Sequence, residues 1–150
     1  MMLQERLQQE IKEAMKHGHK EKVEVMRMLK SDIKYKEISR GKDYRLSEEE
    51  IIEVITSGIK KRKYAAEQFS MGRRSELADK EMREIVILET FLPERLELEE
   101  IDMMIKSVIE EVGADNIRDM GKVMKVLMPQ LKGRADGSYV SKRVNELLKG

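Results

Sequence analysis

The stretch SEEEIIEVITSGIKKRKYAAEQF, residues 47–69, gives the strongest indication of the fold class of this chain. It opens with Ser47, whose hydroxyl can accept a hydrogen bond from the Glu50 amide while the Glu50 carboxylate reaches back, a capping box that begins helices. Behind it, side chains with an apolar body recur at intervals of four and three, the period of one helix face. They are Ile51, Ile55, Ile59, Arg62, Ala66 and Phe69. The stretch is therefore predicted to be one long helix with a single buried seam.

The same helical spacing continues on both sides of this stretch. One helix is predicted from Leu3 to just before Gly18, a second over 20–39, and a fourth between Gly72 and Leu92. No segment shows the sustained alternation of apolar and polar residues that marks a strand. The fold class is therefore predicted to be all-α.

The composition of the chain changes at Pro93, which predicts a domain boundary. Proline pushes the residue before it out of the helical region, and the segment after it is strongly acidic. We predict a larger N-terminal helical domain with long antiparallel helices over residues 1–93, and a small C-terminal three-helix domain over residues 94–150.

The three predicted C-terminal helices each carry a short apolar seam. The first is expected to end at Gly113 and the second at Pro129, which lacks an amide donor. The third is expected to be capped by Asp136 or Ser138. The seams are Ile101, Ile105, Val108 and Val112; Ile117, Met120, Met124 and Leu127; and Val140, Val144 and Leu147.

Composition excludes several classes of function. There are no cysteines, which excludes disulfides, thiolate metal sites and cysteine nucleophiles. The longest apolar run, residues 85–88, is far too short to span a membrane. The N-terminus lacks the apolar region of a signal peptide, so a cytoplasmic location is expected. With 30 bases against 29 acids, any electrostatic partner must be recognised by a local patch.

Charge is unevenly distributed in the C-terminal part. Residues 94–111 carry seven acids and two bases, a net of −5, whereas residues 118–143 carry seven bases and two acids, a net of +5. At about 100° per residue, Arg118, Lys122 and Lys125 are predicted to lie within roughly 60° of one another on one helix face. We call them the basic stripe. They form either a phosphate-contacting surface or a solvated helix face, which could also face the acidic segment.

Further bases extend this candidate surface. Lys132 and Arg134 lie in MPQLKGRADGSYV, residues 128–140, where Gly133 and Gly137 permit a tight turn with positive φ. Lys142 follows on the last predicted helix. Arg27, Lys30 and Lys34 form a secondary candidate set on one face of the second helix. The tyrosines that could stack on bases, Tyr35, Tyr64 and Tyr139, are expected to be half-buried helix residues.

Catalytic and metal-binding patterns are mostly negative. A phosphate-binding loop at Gly121 and Lys122 is rejected, because Asn116 stands where the first glycine belongs and Val123 replaces the Ser or Thr. His17 and His19 have no third ligand nearby, so no metal site is predicted. No cofactor and no catalytic residue are predicted.

Three segments carry a resemblance to a known family. RMLKSDIK (27–34), ILETFLPERLELEEI (87–101) and DMGKVMKVLMPQLKGRADGSYVSKRVNELL (119–148) resemble the YqeY-like family over essentially the whole chain. That family is similar to the tail of GatB, a subunit of the glutamine-dependent amidotransferase that corrects mischarged Glu-tRNA(Gln) and Asp-tRNA(Asn). The resemblance implies an all-helical protein with a larger N-terminal helical domain and a small C-terminal three-helix domain. Glu97 departs from the family pattern, because relatives often carry an N-cap Ser at this position, and a locally weaker helix start is expected there.

The resemblance also implies candidate functions. In the amidotransferase the tail holds the tRNA body, so a tRNA- or RNA-binding accessory module is expected here. The alternatives are a protein-interaction module, or an amidotransferase component with carbon–nitrogen ligase activity that needs partner subunits and uses glutamine as amide donor. Expected partners are tRNA or other structured RNA, and amidotransferase or aminoacyl-tRNA synthetase components. Neither DNA nor a membrane is expected.

Overall fold

The structure is a computed structural model that describes residues 2–149 and is helical throughout, with no strand in that range. The chain divides into two compact units, Met1–Leu92 and Pro93–Gly150. The N-terminal unit contains α1 (Leu3–Lys16), α2 (Lys20–Arg40), α3 (Glu48–Met71) and α4 (Ser75–Glu89). The C-terminal unit contains α5 (Leu98–Val112), a 3₁₀ turn (Ile117–Asp119), α6 (Met120–Leu131) and α7 (Gly137–Lys149). The all-α prediction is confirmed.

The capping box at the start of α3 forms as the sequence predicts. The Ser47 hydroxyl accepts from the Glu50 amide at 3.2 Å, and the Glu50 carboxylate accepts from the Ser47 amide at 3.0 Å. This backbone hydrogen bond is the main reason that the pKa of Glu50 lies below its usual value. Tyr44 and Arg40 also donate to the Glu50 carboxylate. The start of α3 and the end of α2 are thereby joined.

The N-terminal unit is held by an aliphatic core between its four helices. α3 packs most extensively against α4, and α1 packs against α2. The predicted seam of α3 is buried at Ile51, Ile55, Ile59 and Ala66. Arg62 in the same seam is half-buried and forms an ion pair with Glu84 of α4 at 3.0 Å. Phe91, just beyond α4, closes the core with 2% of its surface exposed.

The C-terminal unit surrounds a core of short aliphatic side chains. The buried residues are Ile101, Ile105 and Val108 of α5, Val123, Leu127 and Leu131 of α6, and Val140, Val144 and Leu148 of α7. α5 ends at Gly113 in the left-handed conformation with φ 66°, as its sequence predicts. Asp136, one of the two predicted caps, accepts from the Ser138 amide at 2.9 Å at the start of α7.

Two predicted helix ends are wrong. α4 ends at Glu89 rather than Leu92, because Phe91 and Leu92 close a tighter turn by donating to the carbonyls of Leu88 and Glu89. Pro129 does not end α6, which continues to Leu131. Proline has no amide hydrogen to donate to the carbonyl four residues earlier. Because Pro129 is exposed, that carbonyl is left to solvent and the helix tolerates the missing hydrogen bond.

The seam of α6 is also shifted from its prediction. Ile117 lies in the 3₁₀ turn and is 43% exposed, and Met120 and Met124 are only partly buried. The turn changes the rotation per residue before α6 begins, so the buried face is Val123, Leu127 and Leu131. At the start of α5, Glu97 is the N-cap and makes no side-chain cap hydrogen bond, as its sequence predicts.

Candidate nucleic-acid interface

The basic stripe lies on the exposed side of the C-terminal unit. Lys122 and Lys125 belong to α6, and both are exposed while Val123 and Leu127 on the same helix are fully buried. Arg118 is in the 3₁₀ turn rather than in the helix itself. Its backbone amide donates to the Asn116 side chain at 2.9 Å, which fixes the turn. All three bases therefore face solvent.

The stripe has few intramolecular partners. Within residues 2–149, the side chains of Arg118 and Lys125 make no hydrogen bond or ion pair. Lys122 lies 3.9 Å from the Asp119 carboxylate, the outer limit of an ion pair. That carboxylate accepts from the Asp115 amide at 2.9 Å, which is the main reason that the pKa of Asp119 lies below its usual value. The charges of the stripe are thus largely open to a partner.

The acidic segment does not neutralise the stripe. In the described part of the chain, none of the three bases forms an ion pair with an acid of residues 94–111. Asp102 of this segment instead accepts from Arg143 of α7 at 2.9 Å. This contact lowers the pKa of Asp102 and raises that of Arg143. These contacts do not support the alternative in which the basic stripe is a solvated helix face paired with the acidic segment.

The turn between α6 and α7 is tied to the start of the C-terminal unit. Arg134 donates from Nε to the Glu94 carbonyl at 3.3 Å, and the Arg134 carbonyl accepts from the Leu96 amide at 3.0 Å. Lys132 is half-buried and also has an interaction partner. Gly133 has φ 75°, the conformation its sequence allows, whereas Gly137 begins α7 without positive φ. The turn therefore has a structural role of its own.

The remaining candidates of the C-terminal unit differ in exposure. Lys142 is exposed on α7. Tyr139 is half-buried and lies 3.5 Å from the Asp102 carboxylate, as a helix-packing tyrosine. The prediction of a half-buried position is wrong for Tyr35 and Tyr64 of the N-terminal unit, which are 79% and 65% exposed. Each lies on a helix face that points away from the core, and the periodicity of the sequence did not distinguish this face from a half-buried one.

The secondary candidate set is divided by the structure of the N-terminal unit. Arg27 donates to the Met15 sulfur at 3.4 Å, near the end of α1. Lys30 and Lys34 instead line a cavity of about 380 Å³ between α1, α2 and the loop before α3. Two loop residues that the sequence did not single out, Lys42 and Arg45, line the same cavity. We call it the basic groove.

Two further classes of site can be addressed directly. Among residues 2–149, no three His, Asp or Glu side chains are grouped closely enough to hold a metal ion. No helix in this range is both long and apolar enough to cross a membrane.

Comparison with known proteins agrees with the resemblance seen in the sequence. The chain is 29% identical over 148 residues to "Altered inheritance of mitochondria protein 41, mitochondrial" of Pyrenophora tritici-repentis, which covers 95% of this chain and 79% of that protein. An "Uncharacterized protein" of Schizosaccharomyces pombe is 32% identical over 92 residues, which covers 61% of this chain and 73% of the other. The family model described as "Yqey-like protein" matches residues 4–148. The chain therefore belongs to the YqeY-like family.

Proposed function

We propose that this protein is an RNA-binding accessory module, with tRNA as its first candidate ligand, that binds through the basic stripe. The observation that carries this proposal is the lack of side-chain partners for Arg118 and Lys125, beside the weakly paired Lys122. Exposed bases without strong intramolecular partners attract a phosphate backbone, and release of its counterions supplies the affinity. The resemblance to the GatB tail, which holds tRNA in the amidotransferase, supports tRNA as the candidate.

The stripe is suited to affinity rather than to sequence choice. Contacts from Lys and Arg to phosphates position a nucleic acid without reading its bases. The half-buried Tyr139 is engaged with Asp102 and offers little ring surface for stacking. We therefore propose recognition of the shape and charge of a folded RNA. Lys142 extends the charge, while Lys132 and Arg134 contribute less because both are already engaged.

The test is the salt dependence of tRNA binding by the full chain. Replacing Arg118, Lys122 and Lys125 by Ala removes three phosphate contacts and should reduce the salt slope by roughly 2.7 on a duplex region. The affinity loss should be largest at low salt, with helical content unchanged because exposed substitutions cost under about 0.5 kcal/mol each. Titrations of tRNA at several salt concentrations measure both quantities.

A matched control removes the same charge elsewhere in the same unit. Arg95, Lys106 and Lys149 are exposed and lie outside the stripe, so their replacement by Ala should change the slope much less. Equal losses in the two triple variants, or no tRNA binding by the wild type, would refute the stripe. A second pair of variants, Lys132→Ala and Arg134→Ala, measures the smaller contribution expected from the turn.

The amidotransferase alternative requires a different experiment. Glutamine- and ATP-dependent amidation of mischarged tRNA by this chain with candidate partner subunits would support it, and amidation that is unchanged on omitting the chain would contradict it.

The location of the protein in the cell is a separate proposal. We propose the cytoplasm for this chain, whereas the name of the Pyrenophora relative places that protein in mitochondria. Fractionation with tagged full-length protein decides between the two compartments.

A further inference from the structure

The basic groove brings four cationic side chains into one concavity. Lys30 and Lys34 are one turn apart on α2, and Lys42 and Arg45 come from the loop between α2 and α3. Gln4 and Gln8 of α1 form the opposite wall. The volume of about 380 Å³ lies within the range of small-molecule sites, roughly 300–1,000 Å³.

The cations of the groove are not paired with exposed acids. Lys30 donates to the side-chain oxygen of Gln8 at 2.8 Å, and Arg45 donates to the carbonyl of Tyr44 at 3.2 Å, so both acceptors are neutral groups. Within residues 2–149, Lys34 and Lys42 have no side-chain partner. Like charges this close repel one another, and a bound anion would relieve that repulsion.

The one acid in the lining, Glu37, already accepts hydrogen bonds from other residues of the N-terminal unit. Glu37 is 8% exposed, and its Oε2 atom accepts from the Leu46 amide at 2.9 Å and from the Gln4 side chain at 3.2 Å. Glu37 therefore helps to hold the lining in place, and the four bases of the groove outnumber this one acid. Asp43, between the loop cations in sequence, is exposed and does not line the groove.

A second concavity in the same unit provides a direct comparison. It has a volume of about 860 Å³ and lies among α2, α3 and α4. Its bases, Lys36, Lys61, Arg62 and Lys80, are interspersed with the acids Asp32, Glu53, Glu81 and Glu84. Such a mixed lining neutralises itself. Only the basic groove, of these two, presents a surplus of positive charge in a concave space.

We propose that the basic groove is a binding site for a phosphate-bearing ligand. Lys34 and Lys42 neutralise the phosphate charge, while Arg45 supplies a planar fork that matches two phosphate oxygens. Lys30, held by Gln8, approaches from the side of α1. Ile38 in the lining is 65% exposed and gives the rest of the ligand an apolar surface. The site lies in the N-terminal unit and is independent of the basic stripe.

The test is a titration of the full chain with inorganic pyrophosphate at fixed ionic strength, followed by amide NMR. Saturable shifts should be confined to residues 30–46 and the facing turns of α1. Lys34→Glu combined with Lys42→Glu should weaken binding by at least about tenfold, since two attractive contacts become repulsive. The milder Lys34→Gln with Lys42→Gln should weaken it less, and it covers the case in which charge reversal disturbs folding.

The control is Lys60→Glu with Lys63→Glu, which makes the same charge change at two exposed positions of α3 outside the groove. It should bind pyrophosphate within about twofold of the wild type. Shifts spread over many exposed lysines, equal losses in both double variants, or no saturable binding of any phosphate probe would overturn the proposal.

Two further probes identify the source of the phosphate. A ten-nucleotide single-stranded RNA without terminal phosphates offers phosphodiesters, and ribose 5-phosphate offers a monoester. Tighter groove binding by the RNA assigns the site to a nucleic-acid backbone, and tighter binding by the monoester assigns it to a small molecule. The alanine triple variant of the basic stripe should bind pyrophosphate normally, which separates failure of this site from failure of the proposed function.

Discussion

The two units differ in how completely they close their cores. In the C-terminal unit, six core side chains have no exposed surface, namely Ile105, Val123, Leu127, Leu131, Val140 and Val144. Among the described residues of the larger N-terminal unit, Met26 is the one core side chain buried to that degree. Both units have ion pairs between helices, Arg62 with Glu84 and Arg83 with Glu21 in the N-terminal unit and Arg143 with Asp102 in the C-terminal unit.

This difference bears on the kind of binding site that we propose for each unit. A small unit has little interior, so its stability depends on nearly complete burial of short aliphatic side chains. Its polar side chains are then left on the outer faces of its helices, as the basic stripe is. The N-terminal unit has longer helices whose polar side chains line open concavities. The first arrangement fits an extended partner such as a folded RNA, and the second fits a compact anion.

The largest expected effect is on the small core. Leu127→Ala should cost about 2–5 kcal/mol, because Leu127 is fully buried. A unit of this size has a marginal stability, so its amide NMR signals should collapse while those of the N-terminal unit persist. Met124→Ala, at a half-buried position of the same helix, is the control and should cost less. Simultaneous loss of both sets of signals would show that the units fold as one and would remove the proposed boundary at residue 93.

The next effect is on the turn between α6 and α7. Gly133→Val places a β-branched residue at φ 75° and should cost about 1–3 kcal/mol. Gly121→Ala is the matched control within α6. Its added Cβ meets nothing within 4 Å, and Ala in a helix stabilises by up to about 1 kcal/mol over Gly. Thermal melts of the two variants should therefore shift in opposite directions, and a melting temperature unchanged by Gly133→Val would contradict the strain.

The smallest effect concerns acid stability. The Arg143 contact lowers the pKa of Asp102 below its ordinary 3.8, so this ion pair stabilises the C-terminal unit above about pH 4. The stabilisation is lost as the pH falls through the lowered pKa. Asp102→Asn should reduce stability at pH 7 and have little effect near pH 2, as measured by urea unfolding at both pH values. The effect is limited because the pair is partly exposed. Equal destabilisation at both pH values would show that charge is not involved.

The sequence predicts the elements that depend on neighbouring residues. The capping box of α3 and the glycine that ends α5 are correct because a few adjacent residues determine each. The predicted end of α6 is wrong because Pro129 is tolerated at an exposed position near the end of the helix. Exposure depends on the tertiary structure and cannot be read from neighbouring residues. The shifted seam of α6 has a similar cause, since the 3₁₀ turn before it changes the helical phase.

The candidate sites were predictable to different extents. Lys122 and Lys125 are exposed on one helix, as spacing alone indicates. The engagement of Arg134 with Glu94 could not be predicted, because forty residues separate them. The basic groove was missed for the same reason. Two bases in a short loop after α2 were the available signal, but nothing local shows that the loop folds back beside Lys30 and Lys34.

Glu37 has a consequence for how the basic groove meets its ligand. Its backbone carbonyl accepts from the Gly41 amide at 3.2 Å and its carboxylate accepts from the Leu46 amide at 2.9 Å, so one residue holds both ends of the loop. The loop is thus ordered before any ligand arrives, and binding does not have to supply the entropy of ordering it. The association rate should then be set by diffusion and long-range attraction, and it should fall with added salt rather than wait for a loop to close.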